Sequence, residues 1–439
     1  MSATLENQSS SREAAPLSLP AILAYSLANL GVGAFYAFNN FILPLWLGSY
    51  THNAMLKGIL AETHSFEGAI LQPLVGSASD RLRTRWGRRR PFMILFAPLS
   101  ALFLLLTPLA AALPAPLRLG GIVACIFLST LVFNFFIDPY QSLMADITPA
   151  RQRGRVSGIW FLVGALGQVV VLLLPIPIVY RFALVALLMI VLTAATCATT
   201  RETPTTSGIT GEQDEPAIHH LSYWGEMSAA TRGLTTLRQA RLFLIMYFCY
   251  GAGTSAVVPQ LTPFIKSITH CTDDQALHMV LILMVATAIG GVPCGWLSDK
   301  IGPKAMMTIG VAMIGLAAIN GLWVNSLPSV AIVLFFAGLG TAAQNASAYP
   351  LLTRLVPCEE IGFFTGLQTT ALSIVGPVSV LVTGALINHY GERMIFGVCF
   401  VCILGALAVI NRLRPELAAA EIERHLQLSA ARNNAATTS

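Results

Sequence analysis

Residues 76–81, Gly-Ser-Ala-Ser-Asp-Arg, and residues 295–300, Gly-Trp-Leu-Ser-Asp-Lys, carry one short pattern in two distant parts of this 439-residue chain. Each pattern is followed closely by a glycine and by further basic residues. Glycine permits a tight backbone turn, and the aspartate can pair with basic groups or with a helix N-terminus. The repeat therefore predicts a cytoplasmic turn that latches one state of a helical bundle. This predicted gating motif comprises Gly76, Asp80, Arg81, Gly87, Arg88, Gly295, Asp299, Lys300 and Gly302.

A second pair of segments repeats at a spacing of 208 residues. Residues 149–158, PARQRGRVSG, align with residues 357–366, PCEEIGFFTG, so that Pro149 matches Pro357 and both glycines of one segment match those of the other. Many membrane transporters consist of two repeated halves with their binding site between them. Two paired motifs in equivalent loops indicate such an internal repeat here.

The composition is that of a membrane protein. Apolar residues make up 55% of the chain and charged residues 11%, its mean hydropathy is +0.69, and soluble domains are about 25% charged. A helix needs about 20 mostly apolar residues to span a bilayer. Such segments are predicted at 19–47, 57–79, 91–113, 118–143, 156–178, 182–200, 240–264, 277–298, 304–324, 328–350, 363–387 and 392–411. The predicted fold class is an all-α membrane protein with twelve transmembrane helices in two six-helix pseudo-symmetric halves.

The predicted organisation is an N-terminal tail (1–18), a first half (19–200), a polar linker (201–239), a second half (240–411) and a C-terminal tail (412–439). Loops that alternate between two sides place 21 of the 26 Lys and Arg residues on the side of both termini. Cytoplasmic loops retain basic residues. Both termini are therefore predicted to be cytoplasmic, in a multi-pass protein of the cell (inner or plasma) membrane.

The first gating motif resembles the signature G-x-x-x-D-R/K-x-G-R/K-R/K of the major facilitator superfamily. Within that superfamily, residues 72–76 (QPLVG), 79–81 (SDR) and 87–92 (GRRRPF) resemble the sucrose–proton symporters and their bacterial relatives. Residues 138–148 (DPYQSLMADIT) are similar to the end of the fourth helix in the glycoside–pentoside–hexuronide:cation symporter family. These resemblances imply the fold of that superfamily and cation-driven uptake of a sugar.

The coupling acids of those families have no counterpart at the matching positions. The acids of melibiose-type sodium symporters would fall at Gly68, Gln72 and Ile137, and the proton-binding aspartate of plant sucrose carriers would fall near Thr130. None of these four residues is acidic. A proton is therefore the expected coupling ion, and sodium is the less favoured one.

Ionisable residues inside the predicted spans are the candidates for ion coupling, because a charge in hydrocarbon is costly and is functional by default. Glu67 lies about 20 Å from the cytoplasmic end of the second span at helical rise, and His64 shares its helix face. Asp138 in the fourth span lies on one face with Asn134. We predict His64 and Glu67 as the first coupling site and Asp138 as the second. The alternative for Asp138 is a structural ion pair with a loop arginine.

Neutral polar and aromatic side chains inside the spans are the candidates for solute binding. Sugar hydroxyls need neutral donors and acceptors, and an aromatic ring beside them suits a polyol. The candidates are Asn29, Tyr36, Asn40, Asn134, Trp160, Gln168, Tyr247, Tyr250, Gln344, Asn345 and Gln368. The alternative for each residue is a hydrogen bond between helices.

The predicted function is secondary active transport of a small polar solute, a sugar or glycoside, by alternating access with proton coupling. Proton-driven efflux of an amphipathic compound is the alternative, and a non-transporting assembly or delivery factor is the alternative of another class. The sequence lacks the G-x-x-x-x-G-K-[ST] and H-E-x-x-H motifs, so no enzyme is predicted. No cofactor or metal is expected, and Cys399 and Cys402 are interpreted as buried thiols. The expected partners are the lipid bilayer and the solute, with no nucleic acid, and the protein is expected to be a monomer.

Overall fold

The structure is a computed structural model that describes residues 17–82, 84, 86–149, 152–200, 236–357 and 360–437. Within these ranges it describes the backbone but not the side chains of residues 66–70, 72–74, 76–77, 80–81, 145, 153–154, 362–363 and 428–437. The predicted linker 201–239 lies almost entirely outside the described residues.

The six spans predicted before the linker each coincide with a helix or a broken helix. The helices are α1 (Leu19–Ala37), α2 (Leu43–Leu47), α3 (Ala54–Arg81), α4 (Arg90–Ala110), α5 (Ala115–Ile147), α6 (Arg153–Leu173) and α7 (Ile178–Thr199). A π-helical turn, Phe38–Ile42, joins α1 to α2 in the first span. The side chain of Asn39 donates a hydrogen bond of 2.9 Å to the carbonyl of Phe35 within this turn.

The six spans predicted after the linker are also helical. The helices are α8 (Arg238–Val257), α9 (Leu261–Thr269), α10 (Asp273–Ile301), α11 (Pro303–Gly321), α12 (Leu327–Leu352), α13 (Ile361–Tyr390) and α14 (Met394–Ile410), and α15 (Ala418–Thr437) follows them. A 3-10 turn, Val258–Gln260, divides the seventh span into α8 and α9. Pro259 in this turn cannot donate a backbone hydrogen bond, which accounts for the break.

Ten helical segments among the described residues are long and apolar enough to cross a membrane, and a bent pair, Met394–Ile410 with Pro415–Gln427, raises that number to eleven. The second span, α3, is not among these segments. Its 28 residues are long enough at about 1.5 Å per residue, but they include five charged side chains. The predicted all-α class is confirmed. The polarity of α3 makes it the span in which buried functional groups are most expected.

The chain divides into two compact units. The first contains residues 1–50 and 60–209, and the second contains residues 51–59 and 210–439. Residues 54–59 are the first turns of α3, so the N-terminal end of this helix clusters with the second unit. There the backbone N–H of Ala54 donates to Asn388 Oδ1 at 3.0 Å, and Gln260 Nε2 donates to the carbonyl of Ala54 at 2.7 Å.

Small residues bring helices together within the first unit. A Cβ atom on Gly33 of α1 would collide with the carbonyl of Gly164 on α6, and one on Gly167 would collide with the carbonyl of Leu30. Such close approach is typical of membrane helices, which associate through packing rather than through the hydrophobic effect. Large apolar side chains remain on the outside instead, as at Val292, which is 82% exposed.

Candidate functional site

Asp138 is a buried carboxylate in the fourth span. Asp138 is only 8% exposed. Its Oδ2 atom has no hydrogen-bond partner among the described residues. The Tyr36 hydroxyl on α1 is close enough to the carboxylate to interact with its charge. No ion pair between Asp138 and an arginine occurs in the part of the chain that the structure describes. An unpaired buried carboxylate is unstable as an ion and favours binding a proton.

Three helices supply the surroundings of Asp138. Asn134, one turn earlier on α5, is 3% exposed and donates from Nδ2 to the carbonyls of His64 at 3.2 Å and Thr130 at 3.0 Å. The ring centroids of Tyr36 and His64 are 5.2 Å apart. We call Tyr36, His64, Asn134 and Asp138 the Asp138 cluster. It brings together a carboxyl, an imidazole and a phenol, with Asn134 and Asp138 buried and Tyr36 and His64 half-buried.

Glu67, the other predicted coupling residue, lies on α3 one turn after His64, but its side chain is outside the described residues. His64 itself is half-buried, and its Nδ1 atom lies 3.1 Å from the carbonyl oxygen of Ala61. Because a carbonyl can only accept, the Nδ1 atom carries the proton and donates the hydrogen bond to Ala61. The Nε2 atom of a neutral His64 is then an acceptor.

The remaining solute candidates of the first unit differ in their contacts. Asn29 donates from Nδ2 to the carbonyl of Trp160 at 2.6 Å, a bond that joins α1 to α6. The ring of Trp160 lies 6.4 Å from the ring of Tyr140. Asn40 Oδ1 is buried without a partner among the described residues, and Gln168 is half-buried. Asn29 thus already serves in helix packing, whereas Asn40 retains an acceptor for a ligand.

In the second unit, Tyr247 and Tyr250 of α8 are 8% and 7% exposed, and their ring centroids lie 5.7 Å apart. Gln344 of α12 is fully buried, and neither its Oε1 nor its Nε2 atom has a partner among the described residues. Asn345 is exposed and Gln368 is half-buried. A buried amide with two unmade hydrogen bonds is uncommon and requires an explanation, such as a bound solute or water.

The loop between α3 and α4 carries an ionic cluster that the sequence did not reveal. Arg88 Nη2 lies 2.6 Å from Asp146 Oδ1, and Arg89 Nε lies 3.2 Å from Asp146 Oδ2. Arg89 also donates to the Ser79 hydroxyl. Asp146 ends the fourth span and was missed as a partner. No local signal pointed to this pairing, because Arg88 and Arg89 lie in the loop before α4 and Asp146 lies at the end of α5.

The gating motif is described in part. The turn predicted at 76–81 and 295–300 is wrong, since both stretches are the last residues of helices, α3 and α10, and the turns follow them. The side chains of Asp80 and Arg81 lie outside the described residues, so the predicted pairing of Asp80 remains a prediction. In the second half, Asp299 is exposed, and the Lys300 ammonium lies 3.5 Å from the centre of the Trp296 ring. The glycines that end the two patterns share a conformation. Gly87 has a φ of 99° and Gly302 a φ of 91°, values that favour glycine.

The second repeat also has matching geometry in both halves. The backbone N–H of Gln152 donates to the carbonyl of Pro149 at 2.9 Å, and that of Glu360 donates to the carbonyl of Pro357 at 3.1 Å. The two turns are therefore equivalent at the same spacing of 208 residues. Their last residues, Gln152 and Glu360, both carry side chains that contact other segments of their own unit.

Two cavities in the second unit are not lined by the predicted solute-binding residues. One cavity of about 510 Å³ between α11 and α12 has mostly apolar walls, which include Trp323 and Phe336. A second, of about 460 Å³, is lined by Lys304, Arg354 and Glu416 among others. Neither includes a predicted solute-binding residue. No group of three or more His, Cys, Asp or Glu side chains suited to a metal ion occurs among the described residues.

Comparison with known proteins shows one family over nearly the whole chain. The family model described as Major Facilitator Superfamily matches residues 25–242 and 243–435. An uncharacterized MFS-type transporter of Methanocaldococcus jannaschii is 26% identical over 130 residues, 29% of this chain and 34% of that protein. The membrane-associated transporter protein of Homo sapiens is 36% identical over 90 residues, 18% of this chain and 17% of that protein.

The cis,cis-muconate transport protein of Acinetobacter baylyi is 25% identical over 155 residues, 35% of this chain and 37% of that protein. The matched stretches of these relatives thus span little more than a third of their own lengths at most. Solved structures match over greater lengths. A bacterial homolog to the human lysosomal transporter Spinster, in an inward-facing and occupied conformation, has a TM-score of 0.63 at 13% identity and covers 93% of this chain and 96% of its own. The nucleoside transporter NupG has a TM-score of 0.67 at 13% identity and covers 89% and 98%.

Proposed function

Because the chain belongs to the Major Facilitator Superfamily, we propose that it moves a small polar solute, a sugar or glycoside, across the membrane by alternating access with proton coupling. Family membership makes the protein a multi-pass membrane transporter and not an enzyme. The class of solute, the coupling ion and the cytoplasmic placement of both termini belong to the proposal.

The observation that carries the proposal is the buried Asp138 carboxylate without a described partner. An ionised carboxylate is costly at such a position, so an empty carrier gains free energy when Asp138 binds a proton. Solute binding beside the cluster and proton binding to Asp138 then favour the same state. Two ligands that favour one state increase each other's affinity, which is the thermodynamic basis of coupled transport.

The proposed solute class rests on neutral polar groups that are present in each unit. Asn40 in the first unit and Gln344 in the second retain buried polar atoms with no partner among the described residues. The aromatic rings of Tyr36 and Tyr250 lie in the same two units. Hydroxyl groups of a sugar can donate to and accept from amides, and a sugar ring can stack on an aromatic face. The resemblance of residues 72–92 to sucrose–proton symporters supports the same class.

Proton-driven efflux of an amphipathic compound is the competing proposal. It is favoured by the aromatic ring of Tyr36 in the Asp138 cluster, which is half-buried and lies 5.5 Å from the ring of Phe133. An apolar ring of a substrate would pack well against such a surface. The direction of proton-dependent flux and the chemistry of the transported solute distinguish the two proposals.

The test is uptake of radiolabelled sucrose, maltose and glucose into proteoliposomes with an imposed pH gradient. For one proton per solute, a gradient of about one pH unit supports up to about tenfold accumulation. We expect Asp138→Asn to abolish accumulation and to preserve counterflow, because a neutral amide resembles the protonated carboxyl. Glu423→Gln, at an exposed position of α15 outside the predicted gating motif and solute site, is the control. Full accumulation by Asp138→Asn would exclude this residue as the coupling acid, and drug efflux without sugar flux would favour the competing proposal.

A further inference from the structure

Polar contacts connect the C-terminal helix α15 to two other segments of the second unit. His425 Nδ1 lies 2.6 Å from the Thr236 hydroxyl, and His425 Nε2 lies 2.8 Å from Glu360 Oε1. Thr236 is the first described residue of the predicted linker, and Glu360 ends the turn before α13. His425 is only 7% exposed. One imidazole therefore bridges two segments that are far apart in the sequence.

A second contact fixes the start of α8. The Glu421 carboxylate, one turn before His425, accepts a hydrogen bond of 2.9 Å from the backbone N–H of Gln239. Helix α8 has no side-chain cap at its own N-cap residue, and the first N–H groups of a helix need acceptors. A carboxylate there also interacts favourably with the helix dipole. In return, Gln239 Oε1 accepts from the backbone N–H of Arg414 at 2.7 Å.

The internal repeat shows what is particular about this arrangement. Gln152, at the position equivalent to Glu360, accepts directly from the backbone N–H of Leu17 at 2.8 Å. Leu17 lies two residues before α1, and Thr236 lies two residues before α8. In the first half the loop residue thus holds the start of the first helix itself. In the second half the corresponding connection runs through His425, a side chain of the C-terminal helix.

We propose that α15 is a releasable strap that ties the start of α8 to the turn before α13 and so fixes where the linker ends. Among the described side chains of α15, Ala418 and His425 are buried, and Glu421 and Ile422 are half-buried. Polar contacts of this kind contribute little net free energy each, so the strap opens without unfolding of the spans. Its release frees both tied segments together.

Hydrogen–deuterium exchange of the full-length protein in nanodiscs tests the strap without any solute, so its outcome is independent of the proposed transport function. In Glu360→Gln we expect about tenfold faster exchange in peptides that contain Gln239 and in those of α15, although Glu360 contacts no atom of Gln239. In His425→Ala we expect the same increase around both Thr236 and Glu360. Glu423→Gln, on the exposed side of α15, is the control and leaves exchange unchanged.

The first half supplies a further comparison, because Gln152→Ala removes a direct contact. That variant accelerates exchange near Leu17 only and leaves α15 protected. The proposal is overturned if Glu360→Gln changes exchange only in its own turn, since the contacts would then be independent. It is also overturned if His425→Ala leaves the peptides around Thr236 and Glu360 as protected as in the wild type.

Discussion

Asp146→Asn is the substitution for which the structure gives the most definite expectation. Asp146 accepts from Arg88 Nη2 at 2.6 Å and Nε at 3.2 Å, and from Arg89 Nε at 3.2 Å. Asparagine keeps the shape of the side chain but removes its charge and one acceptor. The change therefore isolates the ionic contribution of this cluster, with the packing of α5 unaltered.

The expected loss of stability follows from the exposure of each partner. The Arg88 side chain is 37% exposed, so its pair with Asp146 contributes at most about 1 kcal/mol. The Arg89 side chain is only 7% exposed, and a hydrogen bond to a charged group in such a place contributes about 1.5 to 3 kcal/mol. Because asparagine retains one acceptor, we expect a loss of about 2 kcal/mol, which corresponds to a fall in Tm of about 2 °C for a chain of 439 residues.

Thermal unfolding of the purified protein in detergent, followed by intrinsic tryptophan fluorescence, measures this effect. Glu423→Gln is the control, since Glu423 is exposed and a surface substitution of this kind changes stability by less than about 0.5 kcal/mol. A fall in Tm for Asp146→Asn no larger than that of the control would refute the ionic cluster as a stabilising element.

Three further substitutions test particular contacts by the same measurement. Gly33→Ala places a methyl group against the carbonyl of Gly164. We expect a clear fall in Tm or the loss of a monodisperse peak in size-exclusion chromatography. Gly295→Ala is the control and is expected to be tolerated, because its methyl group meets nothing within 4 Å. Gly302→Ala also has open space around it but requires a positive φ, so it is expected to cost about 1 to 2 kcal/mol; a Tm equal to that of Gly295→Ala would contradict this. Gln344→Met replaces an amide whose polar atoms have no described partner, so Tm is expected to stay or rise, and a marked fall would show that the protein itself bonds the amide.

Much of the fold followed from the sequence, because hydropathy and charge distribution act over whole segments. The equivalence of the halves was readable from Pro149 and Pro357, and the structure gives both the same turn. The predicted helix ends were less accurate. Helix α5, for example, begins at Ala115 and ends at Ile147, beyond the predicted 118–143, because polar residues near a membrane surface continue a helix that hydropathy alone does not detect.

The candidate site was predictable only as a set of residue types. Buried polar residues such as Asp138 and Gln344 stand out in apolar segments, and both are buried in the structure. The contacts between residues of different helices could not be predicted from the sequence. The pairing of Arg88 with Asp146 joins residues 58 positions apart, and the contact of Thr236 with His425 joins residues 189 positions apart. Such pairs depend on how helices pack, which no local pattern in this single sequence encodes.

The π-helical turn Phe38–Ile42 has a consequence for the history of the first span. A π turn holds one residue more than an α turn at nearly the same rise, so it has the geometry of a single-residue insertion absorbed inside a helix. Because the turn absorbs this residue, deletion of Asn39 would restore regular α-helical winding and leave Pro44 and Trp46 close to their present orientation. One residue more or less in a regular α-helix would instead rotate everything after it by about 100°. The extra residue therefore alters the side chains presented by the turn itself, and a relative without it would keep the contacts of the helix on both sides.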